Sequence, residues 1–299
     1  MAHSITQSPS LASSVRAYFA LTKPRVIELL LVTTVPAMIL AAGELPSIAL
    51  IAEVLLGGAL AAGGANTLNC WIERDRDQVM RRTHGRPLPM GQIKPIRALV
   101  FGIVLEVAAF FWLWLTVNLL SAALAVSAML FYVFVYTIWL KPRSAQNIVI
   151  GGAAGAVPVL VGWAAVTGTL AAPAWVLFAI IFCWTPPHFW ALSLRYRDDY
   201  AAAGIPMLPV VKGAAAAAHQ IVVYSVIVVA VTLSLLFFES MGVVYVVSAI
   251  VLGALFVWQA TKLLRDASPQ RAMKLFMFSN TYLALLFAAI AVDTLVRSV

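Results

Sequence analysis

The feature that most limits how this chain can fold is its series of long apolar stretches. Several exceed the roughly 18 consecutive apolar residues that mark a membrane-spanning helix. The mean hydropathy is +0.95, and 63% of the 299 residues are hydrophobic. Only helices and closed barrels satisfy every backbone polar group in lipid, and the sequence lacks the alternating pattern of barrel strands. The chain is therefore predicted to be an all-α polytopic membrane protein.

The apolar stretches divide into nine predicted spans of about 20 residues, the length that a bilayer requires. Their approximate bounds are 26–43, 48–71, 97–116, 119–138, 146–166, 172–193, 219–238, 241–262 and 273–294. Residues 1–25 are predicted to form a cytoplasmic N-terminal segment. Residues 26–299 are predicted to form a single intramembrane domain.

Lysine and arginine predict the orientation of these spans, because cytoplasmic loops are enriched in both. Of the 20 basic residues, all but Arg297 lie before span one or in the loops after even-numbered spans. This distribution predicts a cytoplasmic N-terminus and an external C-terminus. The basic loops also account for the net charge of +8, so no nucleic-acid partner is expected.

Charge is concentrated at residues 69–89, NCWIERDRDQVMRRTHGRPLP, in a chain that is only 11% charged. Asn69, Glu73 and Asp77 recur at every fourth residue, so they form one stripe on a helix. Their oxygens are hard ligands, suited to Mg²⁺ that shares its shell with phosphate oxygens. The same charges are also compatible with an ordinary solvated helix end. The arginines that follow are suited to direct phosphate binding; they are Arg81, Arg82 and Arg86.

A second acidic cluster, Asp198 and Asp199, follows span six. The basic residues near it are Arg195, Arg197 and Lys212. Similar phrases, RPLPMG at 86–91 and IPMLPVVKG at 205–213, follow the two clusters. This faint repeat predicts two pseudo-repeated halves, with acidic motifs near 69–77 and 195–199, facing one cavity. Such clusters would neutralise the negative charge that grows on a departing diphosphate.

Four further residues have a functional and a structural interpretation. Lys141 and Arg143, after span four, either bind an outer phosphate or are ordinary basic residues of a cytoplasmic loop. Glu106 and His188 lie within spans three and six, where ionisable side chains are costly and often functional. His188 follows Pro186 and Pro187, so it could equally satisfy backbone groups that the prolines free.

Together these motifs resemble the UbiA-type intramembrane prenyltransferases, and within them the branch that farnesylates heme. The resemblance extends over nearly the whole chain. It is carried by N-x-x-x-E-x-x-x-D at 69–77, R-x-x-x-R-P-L at 82–88, HFWALSLRYRDDY at 188–200, GIPMLPVVKG at 204–213 and TKPRV at 22–26. It implies nine helices around a central cavity with both acidic motifs at the cytoplasmic side. Where quinone-type members carry aspartates in the second motif, this sequence has His188 and Arg195.

The resemblance implies that the farnesyl group of farnesyl diphosphate is transferred to a vinyl group of heme b, with Mg²⁺ as cofactor and heme b as substrate. The implied catalytic residues are Asn69, Glu73, Asp77, Asp198 and Asp199, of which Asn69, Glu73, Asp77 and Asp199 would hold the metal. The implied diphosphate-binding residues are Arg81, Arg82, Arg86, Lys141, Arg143, Arg195 and Lys212. His188 and Glu106 are candidates for heme binding or for handling water.

The expected location is the inner (cytoplasmic) membrane of a bacterium, with the active site facing the cytoplasm. Besides the two substrates, the expected partners are the lipid bilayer and, downstream, heme A synthase or a terminal oxidase. Two other functions remain open on the sequence. One is prenylation of an aromatic quinone precursor at the same acidic sites. The other is transport, although a transporter should gather its polar residues near the bilayer midplane rather than at helix ends.

Overall fold

The computed structural model describes residues 10–298, without the side chains of residues 26 and 29–31. Within these residues the chain is helical, and no strand is present. The all-α prediction is therefore confirmed. The first nine residues of the predicted N-terminal segment lie outside the described residues.

The helices follow the predicted spans closely. In chain order they are α1 Leu11–Leu21, α2 Pro24–Ala42, α3 Ile48–Val79, α4 Pro95–Thr116, α5 Leu119–Leu130, a π-helix Phe131–Leu140, α6 Asn147–Thr167, α7 Ala172–Arg195, α8 Arg197–Ala202, α9 Leu208–Val211, α10 Gly213–Ser234, a 3₁₀ turn Leu235–Phe237, α11 Val243–Arg265 and α12 Pro269–Arg297.

Eight segments of the described chain are long and apolar enough to cross a membrane. They correspond to predicted spans two to nine, with α5 and the π-helix forming one span and α10 ending in the 3₁₀ turn. Helix α2 occupies the position of span one, and Val32–Ala42 within it is apolar. The ninth span, the orientation of the termini and the two pseudo-repeated halves remain predictions.

Helix α2 closes the bundle because it packs against both α6 and α12. The largest buried apolar cluster includes residues of α6, α7, α10, α11 and α12. A smaller one includes residues of α3, α4, α5 and α6. Large apolar side chains on the outer faces, such as Phe111 and Trp258, are about half exposed. Such a surface is expected where lipid rather than water surrounds the helices.

Helices α3 and α4 approach closely because small residues form part of their contact. A Cβ atom added to Gly64 would lie 2.7 Å from Oε1 of Glu106. Glu106 is only 6% exposed, and neither of its carboxylate oxygens has a hydrogen-bond partner among the described residues. Glu106 packs against α3 at Gly64, whereas the stripe on α3 begins further along at Asn69. The role of Glu106 in heme binding or in handling water stays a prediction.

At the opposite end of the bundle, a buried carboxylate holds the start of α11. Asp293, on α12, is 2% exposed. Its Oδ2 accepts a hydrogen bond from the backbone N–H of Gly242 at 2.6 Å. Its Oδ1 accepts one from the backbone N–H of Tyr245 at 3.1 Å. Arg297 donates to the same carboxylate at 3.0 Å. One side chain thus satisfies backbone groups that the beginning of a helix leaves free.

Replacing Asp293 with Ala is expected to destabilise the fold by about 2 kcal/mol, because buried N–H groups lose a charged acceptor. Thermal unfolding of the purified protein in detergent measures the effect. Glu44→Ala is the matched control, since Glu44 is exposed in the loop between α2 and α3. Equal unfolding midpoints for the two variants would show that Asp293 does not stabilise the start of α11.

Candidate functional site

The first acidic motif lies on one uninterrupted helix. Helix α3 continues past the predicted span end at residue 71 to Val79, so Asn69, Glu73 and Asp77 share one face at its C-terminal end. All three are buried, with exposed fractions of 1%, 4% and 3%. A solvated helix end would leave such side chains in water, so the interpretation as ordinary surface charges does not fit their burial.

Lys23 is the residue of this site that the sequence analysis missed. Its Nζ donates to Oδ1 of Asn69 at 2.6 Å. The backbone of Lys23 is left-handed, with a φ of 53°, a conformation that costs a non-glycine residue about 1–2 kcal/mol. Asn66 supports the turn by donating to the carbonyl of Thr22 at 2.9 Å. The signal available in the sequence is that Lys23 lies in the motif TKPRV at 22–26; its charge alone does not distinguish it from other basic residues that precede a span.

Each of the two carboxylates of the stripe also has its own cation. Lys141 Nζ lies 2.5 Å from Oε1 of Glu73, and Arg86 Nη1 lies 2.7 Å from Oδ2 of Asp77. Three cations therefore face two carboxylates and one amide. The site carries an excess of positive charge, which suits a polyanionic ligand.

Burial and neighbouring charges shift the pKa values of the three basic side chains at this site, which lie outside the spans. Burial lowers the pKa of Lys23. Burial also acts against the charge of Lys141, but the Glu73 carboxylate outweighs it and raises the pKa of Lys141. For Arg86, burial again opposes the charge, and the adjacent Asp77 raises the pKa of the guanidinium above its usual value. Lys141 and Arg86 are therefore cationic at neutral pH.

The residues of the stripe have the chemistry that a divalent cation needs. Carboxylate and amide oxygens are hard donors. Oε1 of Glu73 pairs with the Lys141 ammonium at 2.5 Å. Because a carboxylate has about four acceptor sites, this pair leaves lone pairs of Glu73 for a further ligand. The donor set contains one amide and two acids, and no cluster of three His, Cys, Asp or Glu side chains occurs in the described part of the chain.

The π-helix after α5 forms the facing wall of the site. Its Thr137 accepts a hydrogen bond from Nδ2 of Asn69 at 3.1 Å and donates to the carbonyl of Tyr132 at 2.8 Å. The backbone N–H of Lys141 bonds to the carbonyl of Tyr136, five residues earlier. Wide turns of this kind recur at functional sites. Here the π-helix ends at Leu140, and the next residue, Lys141, contacts Glu73.

The structure places Asp199 of the second acidic motif against the loop that follows the first motif. Oδ2 of Asp199 accepts a hydrogen bond from the backbone N–H of Arg82 at 3.3 Å, and the Arg82 guanidinium donates to the hydroxyl of Tyr200 at 3.4 Å. Met80 and Tyr200 belong to one buried cluster, which fixes the loop after α3 against α8. Asp198 is exposed.

The other predicted phosphate ligands have different surroundings. Arg143 donates to the carbonyls of Ile138 and Trp139 at 2.9 and 3.2 Å and so caps the end of the π-helix. The guanidinium of Arg195 lies over the Tyr196 ring at 5.5 Å. Arg81 is exposed, and its carbonyl accepts a hydrogen bond from His84. Lys212 lines a separate cavity beside α10.

His188 is buried, and its hydrogen-bonding surroundings favour one tautomer. The hydroxyl of Ser279 donates its single proton to the carbonyl of Phe276 at 2.7 Å. We therefore assign the imidazole as the donor in the 2.7 Å bond between His188 Nδ1 and this hydroxyl, since this choice satisfies both contacts of the hydroxyl. Nε2 keeps a lone pair. The ring is stacked between Trp184 and Phe276, with centroids 4.2 and 4.4 Å away. The structural alternative for His188 was a hydrogen bond to backbone groups that Pro186 and Pro187 free. The structure instead shows a bond to the side chain of Ser279.

Comparison with known proteins gives concordant results. The model of the UbiA prenyltransferase family matches residues 30–282. The protoheme IX farnesyltransferase of Frankia alni is 54% identical over 95% of this chain and 99% of its own. That of Mycobacteroides abscessus is 52% identical over 97% and 93%.

Solved structures share the fold. A structure of digeranylgeranylglyceryl phosphate synthase matches with a TM-score of 0.77 at 18% identity, over 94% of this chain and 98% of that one. A UbiA homolog from Archaeoglobus fulgidus bound to GPP and Mg²⁺ matches with a TM-score of 0.64 at 16% identity, over 92% and 99%.

Proposed function

The chain belongs to the UbiA prenyltransferase family, and we propose that it transfers the farnesyl group of farnesyl diphosphate to a vinyl group of heme b, giving heme O and diphosphate. One observation carries this proposal: relatives that match nearly the whole chain at 52–54% identity are protoheme IX farnesyltransferases. The paired charges around Asn69, Glu73 and Asp77 provide the chemistry that such a reaction needs.

We assign the diphosphate to the cations of this site. Lys23, Arg86 and Lys141 now contact the side chains of the stripe. A bound diphosphate offers them oxygens of higher charge density. As the allylic C–O bond breaks, its electron pair passes to the diphosphate, and fixed cations stabilise that developing charge more than they stabilise the ground state.

Asn69, Glu73 and Asp77 are the residues that would hold Mg²⁺ in this proposal. When bound, the ion supplies Lewis-acid stabilisation of the leaving diphosphate. Asp199 and Arg82 join α8 to the loop after α3. The reactive carbon must meet a vinyl group before it meets solvent, so the site has to limit water around that carbon.

The heme end of the reaction requires carbon–carbon bond formation and then hydration. The terminal vinyl carbon of heme attacks the allylic cation, which moves the positive charge to the neighbouring carbon. Water adds there and loses one proton, giving a hydroxyethylfarnesyl group. We assign His188 to this end, because Nε2 carries the lone pair that either iron ligation or acceptance of that proton requires. Glu106 remains a second candidate.

The direct test is product analysis with two acceptors. Purified protein in lipid, supplied with farnesyl diphosphate and Mg²⁺, is expected to convert heme b to heme O, identified by mass spectrometry of the extracted heme. In a parallel reaction, 4-hydroxybenzoate replaces heme b and is expected to remain unmodified. Prenylation of the benzoate without heme O formation would contradict the heme assignment and support the quinone-precursor reaction.

A further inference from the structure

Both carboxylates of the stripe are paired with a basic side chain. Lys141 Nζ lies 2.5 Å from Oε1 of Glu73, and Arg86 Nη1 lies 2.7 Å from Oδ2 of Asp77. The carboxylate side chains are only 5% and 4% exposed. Because little water reaches them, these basic groups rather than solvent balance their charge. The two pairs together carry no net charge.

Lys23 adds a further basic group to the stripe, and its partner is neutral. Its Nζ donates to Oδ1 of Asn69, an amide oxygen, at 2.6 Å. Nδ2 of the same amide donates to the Thr137 hydroxyl at 3.1 Å, so both ends of the amide are held. Affinity for a divalent cation depends on the charge of its ligands. A stripe whose acids are already balanced by basic groups is therefore a weak site for a free Mg²⁺ ion.

A free divalent cation and a diphosphate meet opposite fields at this site. The basic groups repel an approaching Mg²⁺ ion, and each has to leave its carboxylate before that carboxylate becomes a ligand. The same groups attract a diphosphate, whose oxygens can replace the carboxylates as their partners. That exchange frees the carboxylates for a metal ion, which prefers to share its shell with phosphate oxygens.

From these contacts, we propose that Lys23, Arg86 and Lys141 impose an order of binding: the diphosphate binds without a metal ion, and Mg²⁺ binds well only once the anion is present. The inference rests on the proposed function, because it takes the diphosphate of the substrate as the ligand. It deepens that function by giving the basic residues a second role, which is to exclude a free divalent cation from the stripe.

Isothermal titration calorimetry of the purified full-length protein in detergent tests this order without any turnover. The probes are inorganic diphosphate in EDTA, Mg²⁺ alone, and Mg²⁺ added to protein loaded with equimolar diphosphate. A protein-free titration of Mg²⁺ into diphosphate is subtracted from the last. We expect diphosphate to bind in EDTA, and Mg²⁺ to bind the loaded protein at least about tenfold more tightly than the protein alone.

The variant Arg86→Gln tests whether the basic groups cause the order. It removes the charge that faces Asp77. We expect Mg²⁺ alone to bind this variant about tenfold more tightly than the wild type, and diphosphate in EDTA to bind it about tenfold more weakly. A purely structural defect would weaken both, so shifts in opposite directions identify the charge. The matched control is Arg97→Gln, at an exposed position in the first turn of α4, which should leave both affinities unchanged.

Equally tight binding of Mg²⁺ to the wild type with and without diphosphate would overturn the proposal and leave the transferase function intact. Weaker binding of both probes by Arg86→Gln, at a wild-type unfolding midpoint, would overturn it as well. If that variant does not fold, the wild-type titrations alone decide the order. No binding of diphosphate by the wild type, with or without Mg²⁺, would overturn both the order and the proposed diphosphate site.

Discussion

Replacing Asp77 with Asn is expected to abolish heme O formation, with kcat/KM reduced on the order of 10³-fold or more. The substitution preserves size and keeps an acceptor for Arg86, which lies 2.7 Å from the carboxylate. It removes one of the two negative charges of the stripe and so weakens any divalent cation held there. Steady-state kinetics of the purified variant at saturating Mg²⁺, together with its unfolding midpoint, separates lost chemistry from lost folding.

The matched control for Asp77→Asn is Asp75→Asn on the same helix. The Asp75 side chain is 78% exposed and lies 3.7 Å from Arg74, so it points away from the buried stripe. Its replacement is expected to leave the rate within about twofold, as is usual for exposed ion pairs. Wild-type activity in Asp77→Asn, or an equal loss in both variants, would contradict the metal-binding role of Asp77.

Replacing Lys141 with Met is expected to lower both activity and stability. The ammonium contacts Glu73, and the two side chains are only 13% and 5% exposed. Removal of one partner of a buried pair leaves the other charge uncompensated, which destabilises by about 3 kcal/mol. The variant also loses a cation of the proposed diphosphate site, so kcat/KM for farnesyl diphosphate should fall on the order of 10²-fold.

A second substitution separates these two effects. Glu73→Gln with Lys141→Met removes both charges of this buried pair, so neither partner is left uncompensated by the other, and the unfolding midpoint should return most of the way to the wild-type value. Activity should stay low, because neither the cation nor the carboxylate is restored. Recovery of activity in the double variant would show that Lys141 acts only through folding and does not bind diphosphate.

The sequence alone was sufficient to predict the helical architecture. Hydropathy and length predicted spans that the structure confirms at eight positions, because a bilayer leaves a chain few ways to satisfy its backbone. The four-residue spacing of Asn69, Glu73 and Asp77 predicted a shared helix face, because residues four apart lie on the same side of a helix. The structure adds that α3 is continuous to Val79, beyond the point where the apolar signal stops.

The partners of that stripe could not be predicted from local spacing. Lys23, Arg86 and Lys141 reach the site from three separate segments of the chain. The sequence analysis predicted two of them among seven basic candidates and missed Lys23. Positive charge alone could not distinguish these residues from Arg143, which caps a helix end, because every cytoplasmic loop of a membrane protein is enriched in lysine and arginine.

Local periodicity and the cost of unpaired backbone in a bilayer were enough to predict which segments are helices and which oxygen-bearing side chains share one helix face. Packing between distant segments sets which cation meets which oxygen, which side chain pairs with Nδ1 of His188 and which cavity Lys212 lines. The cation pairs depend on how the start of α2, the end of the π-helix and the loop after α3 pack around the end of α3. The His188 bond depends on how α7 packs against α12. Contacts between residues distant in sequence leave no local pattern.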